Sequence, residues 1–189
     1  MDIDIDSRDR QHILRLISHT PATIIRNGIV KTHNTGVYVT PVPEDLLNGR
    51  AAFDHRTAED MGYVKLDFLN ISVYEGVRDM SHLHQLMNTP PDWALLNSRE
   101  FVENVIHINR HYDTIHSMPE PVDSIPRMAM MLSVIRPAKR HLIGKTWNKV
   151  EKEVWTKSDD DSYQFKKAHG VAYAHLVAVH MNLLVTLEE

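Results

Sequence analysis

The sequence predicts an α+β fold, with a small β-containing lobe at residues 1–80 followed by a helical lobe at residues 81–189. Two observations support this division. Short stretches of the first 80 residues alternate apolar and polar side chains, which is the period of a strand. Beyond residue 80, apolar side chains recur at spacings of three and four, which is the period of a helix. A chain of 189 residues is long enough for one domain with an additional lobe.

Five segments make up the predicted first lobe. They are a strand at 2–5, a helix at 7–18, a turn-rich segment at 19–36, a strand at 36–43 with one helical turn at 43–50, and a strand from residue 62. Ser7 is the expected N-cap of the first helix, because its hydroxyl can accept a backbone N–H of the first turn. Pro41 and Pro43 end the second strand, and Gly49 ends the helical turn.

The second lobe is predicted to be helical throughout. The helical segments are 90–112, 123–135, 145–157 and 163–189, separated by prolines, glycines and the polar stretch SDDDS. No apolar run approaches 18 residues without interruption, so no membrane span is expected.

Composition narrows the class of protein. Hydrophobic residues make up 42% and charged residues 24%, which is typical of a soluble globular protein. The sequence contains no cysteine, so disulfides and thiolate chemistry are excluded. The acidic N-terminus lacks the features of a signal peptide, and a cytoplasmic location is expected. The net charge of −4 is low for a dedicated nucleic-acid binder, although residues 136–152 are strongly basic.

The opening sequence MDIDIDSRDR raises the possibility of a metal site. Asp2, Asp4 and, at the end of the alternation, Asp6 would project from one face of a strand. Their mutual repulsion would be relieved by a divalent cation or by solvent. Oxygen ligands of this kind suit magnesium. An exposed, solvated terminus is the alternative.

A further carboxylate is expected from the strand VKLDFL. Asp67 is charged in an otherwise apolar strand, and Lys65 lies two residues earlier on the same face. Carboxylates on adjacent strands are the arrangement of two-metal phosphoryl transfer. Asp67 could equally occupy an edge position that faces solvent. Lys65 could contact a bound phosphate or form an ion pair with Asp67.

The chain also offers cations that could hold a triphosphate. Besides Lys65 they are Arg136, Lys139, Arg140, Lys166 and Lys167. The histidines do not have the spacing of a zinc site, since no HExxH motif is present. His33 differs from the others because it lies in a polar turn near the expected carboxylate site.

Several segments, in chain order, resemble the bacterial replicative DNA polymerases of family C, the alpha subunit of DNA polymerase III. MDIDIDSRDR resembles the family's P-D-x-D-x-D-F motif, and IIRNGIVKTHNTGVYVTP resembles R-N-x-G-x-H-A-G-G-V-x-I-x-P. AFDHRTAEDMGYVKLDFLNI resembles the segment that contains G-L-V-K-F-D-F-L-G-L. In the helical lobe, PVDSIPRMAMMLSVIRPAKR resembles the segment ending in A-L-Y-R-P-G-P, and FKKAHGVAYAHLVAVHMNLL resembles F-N-K-S-H-A-x-A-Y-A-L-x-A-Y.

The resemblance implies a fold and a set of site residues. The first lobe would be a palm of the polymerase beta-like nucleotidyltransferase type, and the second would be helical fingers. Asp2, Asp4 and Asp67 would be catalytic and would bind Mg²⁺, or Mn²⁺ in its place, with Asp6 as a further ligand. The residues that would contact the nucleotide are Lys65, Arg136, Lys167, His33 and His169.

The resemblance also implies a reaction and partners. The chain would be a minimal DNA polymerase that adds deoxynucleotides to a 3′-hydroxyl, with a DNA primer–template and a dNTP as partners. Another replication protein could supply a thumb or a grip on DNA. A relative this compact would suit a phage genome, and it would then act in the bacterial host cytoplasm.

Departures from the family leave other functions open. The chain begins at the expected catalytic strand, and only about twenty residues separate that strand from IIRNG, where the family has well over a hundred. R-P-G-P is replaced by RPAK. A weakly active or inactive binding module, a subunit of a split polymerase and a template-independent nucleotidyltransferase are therefore alternatives.

Overall fold

The computed structural model describes residues 2–157 and 164–188. It has a mixed α+β fold with about 49% helix and 18% strand, and the strands include a small mixed sheet. The chain divides into two compact units, Met1–Gly76 and Val77–Glu189. We call them the sheet unit and the helical unit and describe each by itself.

The sheet unit is built on four strands. They are β1 (Asp2–Ser7), β2 (Thr20–Arg26), β3 (Ile29–Tyr38) and β6 (Lys65–Asn70), and their order in the sheet is β1-β6-β3-β2. Strand β1 runs parallel to β6, whereas β3 is antiparallel to both β6 and β2. The sheet therefore brings the first strand of the chain directly beside a strand that begins more than sixty residues later.

Strands β2 and β3 form a hairpin where the sequence predicted a turn-rich segment, and that prediction is wrong. Asn27 and Gly28 form its two-residue loop, with positive φ angles of 50° and 74°. Positive φ at both positions defines a type I′ turn, whose twist matches that of paired strands. The Asn-Gly pair was the signal that the interpretation overlooked.

Helix α1 (Arg10–Leu16) is shorter than predicted, and its N-cap is not Ser7. The carboxylate of Asp9 accepts the backbone N–H of His12 and caps the helix. Ser7 ends β1 instead, and its hydroxyl donates to the Leu69 carbonyl at 3.1 Å. The helix packs Leu14 against Val37 and Phe68. Since side chains alternate along β6, this contact leaves Lys65 and Asp67 on the opposite face.

The segment 43–50 is not a helical turn as predicted. It forms two short paired strands, β4 (Glu44–Asp45) and β5 (Arg50–Ala51), joined by a turn. The Asp45 carboxylate accepts the backbone N–H of Leu47 and stabilises that turn. Helix α2 (His55–Asp60) follows, capped by Asp54. A 3₁₀ helix at Ser72–Gly76 follows β6.

The helical unit consists of six α-helices and two 3₁₀ helices among the described residues. The α-helices are α3 (Met80–Asn88), α4 (Arg99–Asn104), α5 (Tyr112–His116), α6 (Ile125–Val134), α7 (Trp147–Glu153) and α8 (Lys167–Glu188), and the 3₁₀ helices are Trp93–Asn97 and Pro137–Leu142. Helix α6 is buried from Met128 to Val134 and packs against α8. These two helices form the centre of the unit's core.

Helix α8 is long and apolar enough to cross a membrane, judged by its length and composition between Lys167 and Leu187. Half of that stretch is buried within the protein, as in the core helix of a soluble protein. A buried core helix passes the same test, so the expectation that no segment spans a membrane stays a prediction.

Replacing Leu132 of α6 with alanine should lower the free energy of unfolding by about 3 kcal/mol, because this side chain is fully buried and its removal leaves a cavity. All three tryptophans lie in the helical unit, so tryptophan fluorescence during urea unfolding measures this change. Leu187→Ala is the matched control. Leu187 is 69% exposed, and its loss should change stability by less than about 0.5 kcal/mol. Equal effects of the two substitutions would contradict the described packing.

Candidate active site

The parallel pairing of β1 and β6 places two predicted carboxylates side by side. Asp4 lies directly opposite Asp67 in the register, and Asp2 lies opposite Lys65. Opposed residues on neighbouring parallel strands project to the same face. Asp4, Asp67 and Lys65 therefore share one face of the sheet. The side chain of Asp2 is outside the described part of the structure.

Asp67 is buried, with 7% of its surface exposed, and both carboxylate oxygens have protein partners. Oδ1 accepts a hydrogen bond from the Thr35 hydroxyl at 2.7 Å, and Oδ2 accepts one from Lys65 Nζ. Burial by itself would raise the pKa of Asp67. The Lys65 and Thr35 hydrogen bonds, with a smaller effect of nearby His33, outweigh burial and lower that pKa below its ordinary value. Asp67 is consequently ionised at neutral pH.

Lys65 forms the ion pair that the sequence offered as one of its two roles. The residue is 4% exposed and its ammonium group bonds Asp67. Its side chain passes Gly36, where an added Cβ would lie 2.6 Å from Lys65 Cδ. Any larger residue at position 36 would displace Lys65, so Gly36 is part of the site for a steric reason.

An irregularity in β3 carries the remaining groups of this face. Between the pairs Thr23–Thr32 and Pro21–Val37, residues 33–36 of β3 lie opposite a single residue of β2. We call residues 33–36 the β3 bulge. Bulges of this kind reorient side chains and are common beside functional sites.

His33 stabilises the bulge from within. Its Nδ1 accepts the backbone N–H of Gly36 at 2.9 Å and that of Thr35 at 3.3 Å. These bonds require an unprotonated Nδ1, so the ring proton of neutral His33 is on Nε2. Nδ1 also lies 3.7 Å from Asp67 Oδ1. Sequence reasoning did not find the role of Thr35, although the polar sequence THNTG inside a strand was the available signal.

Asp6 stands at the far end of the β1 face. Its carboxylate accepts a hydrogen bond from the Tyr74 hydroxyl at 3.4 Å. Partial burial is the main cause that raises the pKa of Asp6, and the charge of Asp4 adds to it against the effect of Tyr74. Its register partner is Leu69 rather than a polar residue. Asp6 is therefore less well placed than Asp4 to act together with Asp67.

The other predicted nucleotide contacts lie in the helical unit. The guanidinium of Arg136 lies over the Phe165 ring at 4.0 Å. His169 stacks with Tyr173 at 6.5 Å, and exposed Lys167 begins α8. Arg136, Phe165, His169 and Tyr173 form a small cationic and aromatic group within this unit.

Histidines near Arg136 are held neutral. Burial is the main cause that lowers the pKa of His107 to about 4, and the charge of Arg136 adds to it. The pKa of His111 is lowered for the same two reasons, in the same order. The local charge around Arg136 therefore comes from arginine rather than from histidine at neutral pH.

Lys139 is a correction to the predicted set of triphosphate cations. It is 4% exposed, and its Nζ donates to the carbonyl oxygens of Glu153 and Thr156 at 2.9 Å and 2.7 Å. These bonds tie the 3₁₀ helix Pro137–Leu142 to the end of α7. The ammonium group therefore has a structural role and is not available to a ligand.

No protein-family model, curated protein or solved structure matches this chain. Among the described residues, no three His, Asp or Glu side chains are grouped as metal ligands. The geometry of Asp4, Asp67 and their neighbours is therefore the basis for assigning a function.

The lowered pKa of Asp67 predicts a pH dependence of stability. A carboxyl group whose pKa is depressed on folding adds stability that is fully present above its unfolded pKa of about 3.9. That contribution is lost as the pH falls through the lower folded pKa. We expect the free energy of unfolding to fall on acidification below about pH 4, and this part of the fall to be missing in Asp67→Asn.

Urea unfolding followed by circular dichroism at neutral and acid pH measures both curves. Asp60→Asn removes an exposed carboxylate at the end of α2 and controls for the loss of one negative charge. Parallel pH curves for the wild type and Asp67→Asn would show that Asp67 is not held ionised by its neighbours.

Proposed function

We propose that this chain is a metal-dependent nucleotidyltransferase, a minimal family C-like DNA polymerase that adds deoxynucleotides to a 3′-hydroxyl. The observation that carries the proposal is the register of β1 and β6, which sets Asp4 directly opposite Asp67 on one face. Paired carboxylates on adjacent strands are what two-metal phosphoryl transfer requires. The resemblance of five segments to family C supports the same reaction.

The donor set fits magnesium by its chemistry. Carboxylate oxygens are hard ligands of the type that Mg²⁺ prefers, and Asp67 is kept ionised by Lys65 and Thr35. Each carboxylate oxygen has two lone pairs, so a hydrogen bond from the protein leaves a position for a metal. When bound, Mg²⁺ or Mn²⁺ would stabilise the charge on the attacking and leaving oxygens. Asp2, Asp4 and Asp67 would hold it.

The residues of this face would have distinct tasks. Asp4 and Asp67 would bind the metal ion. Thr35 would orient Asp67 through its hydrogen bond to Oδ1. Lys65 would keep Asp67 ionised through their ion pair, and the resemblance gives it the further task of contacting substrate phosphates. The product would be a new phosphodiester bond to the 3′-oxygen, with pyrophosphate as the leaving group.

Arg136, Lys167 and His169 are kept in the proposal as triphosphate contacts on the strength of the resemblance. Arginine is suited to this task because its planar group donates two parallel hydrogen bonds to phosphate oxygens. The Phe165 ring supports the guanidinium of Arg136 from one side. DNA primer–template and a dNTP are the proposed partners, with a second replication protein as a further one.

Asp4→Asn should reduce nucleotide incorporation by about a hundredfold, because it removes one carboxylate from the proposed metal site. Asp67→Asn should do the same. Primer extension with a labelled primer and Mg²⁺ or Mn²⁺ measures the effect. Reactions without template reveal any template-independent addition of nucleotides.

Asp60→Asn controls for charge and should retain activity, since Asp60 is an exposed residue at the end of α2 and not on the strands that carry the site. Asp4 is exposed, so Asp4→Asn tests the site without disturbing the buried pair. Circular dichroism of each variant confirms that it folds. Incorporation by both Asp4→Asn and Asp67→Asn at the wild-type rate would disprove the assignment.

One observation favours a different function, that of a weakly active or inactive binding module or split subunit. The ammonium group of Lys65 already neutralises Asp67 in the sheet. A carboxylate neutralised in this way is a weaker metal ligand. Such a module would act with a replication partner, or compete with one, through the segments that resemble family C.

Calorimetric titration separates the two functions. The polymerase proposal requires the purified protein to bind a dNTP in the presence of Mg²⁺ and requires Asp4→Asn to weaken that binding. Absence of both magnesium and nucleotide binding would exclude the enzymatic function and favour the binding module.

A further inference from the structure

A pocket of about 440 Å³ lies on the α1 side of the sheet, within the sheet unit. Its walls come from α1, from the start of β2 and from the β3 bulge. Its apolar floor is made by Leu14, Pro21 and Val37. This volume falls in the range of small-molecule sites. Neither Asp4 nor Asp67 lines the pocket.

The polar lining of the pocket is basic. Arg10 and Arg15 contribute from α1, His19 from the segment after it, and His33 from the bulge. No aspartate or glutamate is among the lining residues in the part of the chain that the structure describes. In a protein of net charge −4, two arginines in one pocket without a lining carboxylate favour an anionic ligand.

Neither arginine is neutralised by an acid. No ion pair of Arg10 or Arg15 with a described acidic residue exists. Arg10 donates from Nη2 to the Thr35 carbonyl at a long 3.5 Å. Its buried Nε has no hydrogen-bond partner among the described residues. A buried donor without an acceptor is uncommon, and an oxyanion in the pocket would satisfy it.

The two imidazoles are oriented by backbone contacts. His33 Nδ1 accepts the backbone N–H of Gly36, which leaves the ring proton on Nε2. His19 Nδ1 lies 3.0 Å from the Ile17 carbonyl, to which it donates. The backbone thus sets both rings in place before any ligand binds.

We propose that this pocket binds the phosphate groups of a small-molecule polyphosphate, with Arg10 and Arg15 as the main contacts. One guanidinium group can donate two parallel hydrogen bonds to two oxygens of a phosphate, which an ammonium group cannot do. A polyphosphate carries several negative charges, which matches the two arginines better than the single charge of a phosphodiester does.

The assignment of the polyphosphate as a nucleotide rests on the proposed function. The assignment of the pocket as an anion-binding site does not. The β3 bulge joins the two regions, because His33 lines the pocket while Thr35 bonds Asp67. The pocket lies on the α1 side of the sheet and the carboxylates lie on the other face, so a polyphosphate held there would occupy a second site rather than the one at which Asp4 and Asp67 act. An anion-binding measurement without metal distinguishes this inference from the catalytic one.

The test is calorimetric titration of the whole chain with inorganic triphosphate in the presence of EDTA. We expect the wild type to bind and Arg15→Gln to weaken binding about tenfold, through loss of one charge-assisted contact. Arg10→Gln should have an equal or larger effect. Arg15 is exposed on α1, so its variant should fold normally even if Arg10→Gln does not.

Arg56→Gln is the matched control, because it removes the same charge from an exposed position on α2 outside the pocket. It should leave the affinity within about twofold. Equal affinity of Arg15→Gln, Arg10→Gln and Arg56→Gln, or no binding by the wild type, would overturn the proposal.

Two further ligands identify the source of the phosphate. A dNTP that binds at least as tightly as triphosphate, with the same loss in Arg15→Gln, supports a nucleotide. A short single-stranded oligodeoxynucleotide that binds more tightly than triphosphate would overturn the proposal in favour of a phosphodiester backbone. Full activity of Asp4→Asn and Asp67→Asn in primer extension would disprove the catalytic role alone and leave these binding results valid.

Discussion

The buried ion pair between Lys65 and Asp67 is the interaction on which the sheet unit depends. Both residues are more than nine-tenths buried, in a strand whose other face packs against α1. Removing two charges from water costs several kcal/mol per ion unless each finds its partner and additional hydrogen bonds. Lys65 and Thr35 provide those bonds to Asp67. The residues around the pair are therefore constrained by an electrostatic requirement rather than by apolar packing.

That requirement explains the shape of β3. A regular strand beside β6 would not place the Thr35 hydroxyl on Asp67 and leave room for the Lys65 side chain as well. The β3 bulge achieves both, because it turns Thr35 toward the carboxylate and puts Gly36 where Lys65 passes. His33 then binds the backbone amides that the bulge removes from the ladder. Buried backbone donors rarely remain without acceptors, so a polar side chain at position 33 is needed for the fold alone.

The sequence predicted which charged side chains lie on this face of the sheet better than it predicted the strands that form the sheet. Alternation in VKLDFL was sufficient to place Lys65 and Asp67 together and opposite Phe68, because side-chain direction in a strand is a local property. The adjacency of the Asp4 and Asp67 strands was expected from the chemistry of a two-metal site and not from a local pattern, because strand pairing is a tertiary property. The β2–β3 hairpin was missed for another reason. Its Asn27–Gly28 turn was visible in the sequence, but exposed Ile25 and Val30 give the strands no clear alternation.

Charge counts along the chain were a poor guide to where cations are available. The basic stretch at 136–152 was expected to supply cations for a ligand. The ammonium group of Lys139, however, donates its hydrogen bonds to the carbonyl oxygens of Glu153 and Thr156. Arg10 and Arg15 follow the N-terminal aspartates in the sequence. They were left out of the predicted ligand-binding cations because that segment is acidic as a whole. Folding separates these groups, because α1 covers the apolar face of β6 while Asp4 and Asp67 lie on the other. The sheet unit thus carries an acidic face and a basic pocket that share only the β3 bulge. A single backbone irregularity consequently sets the geometry of both.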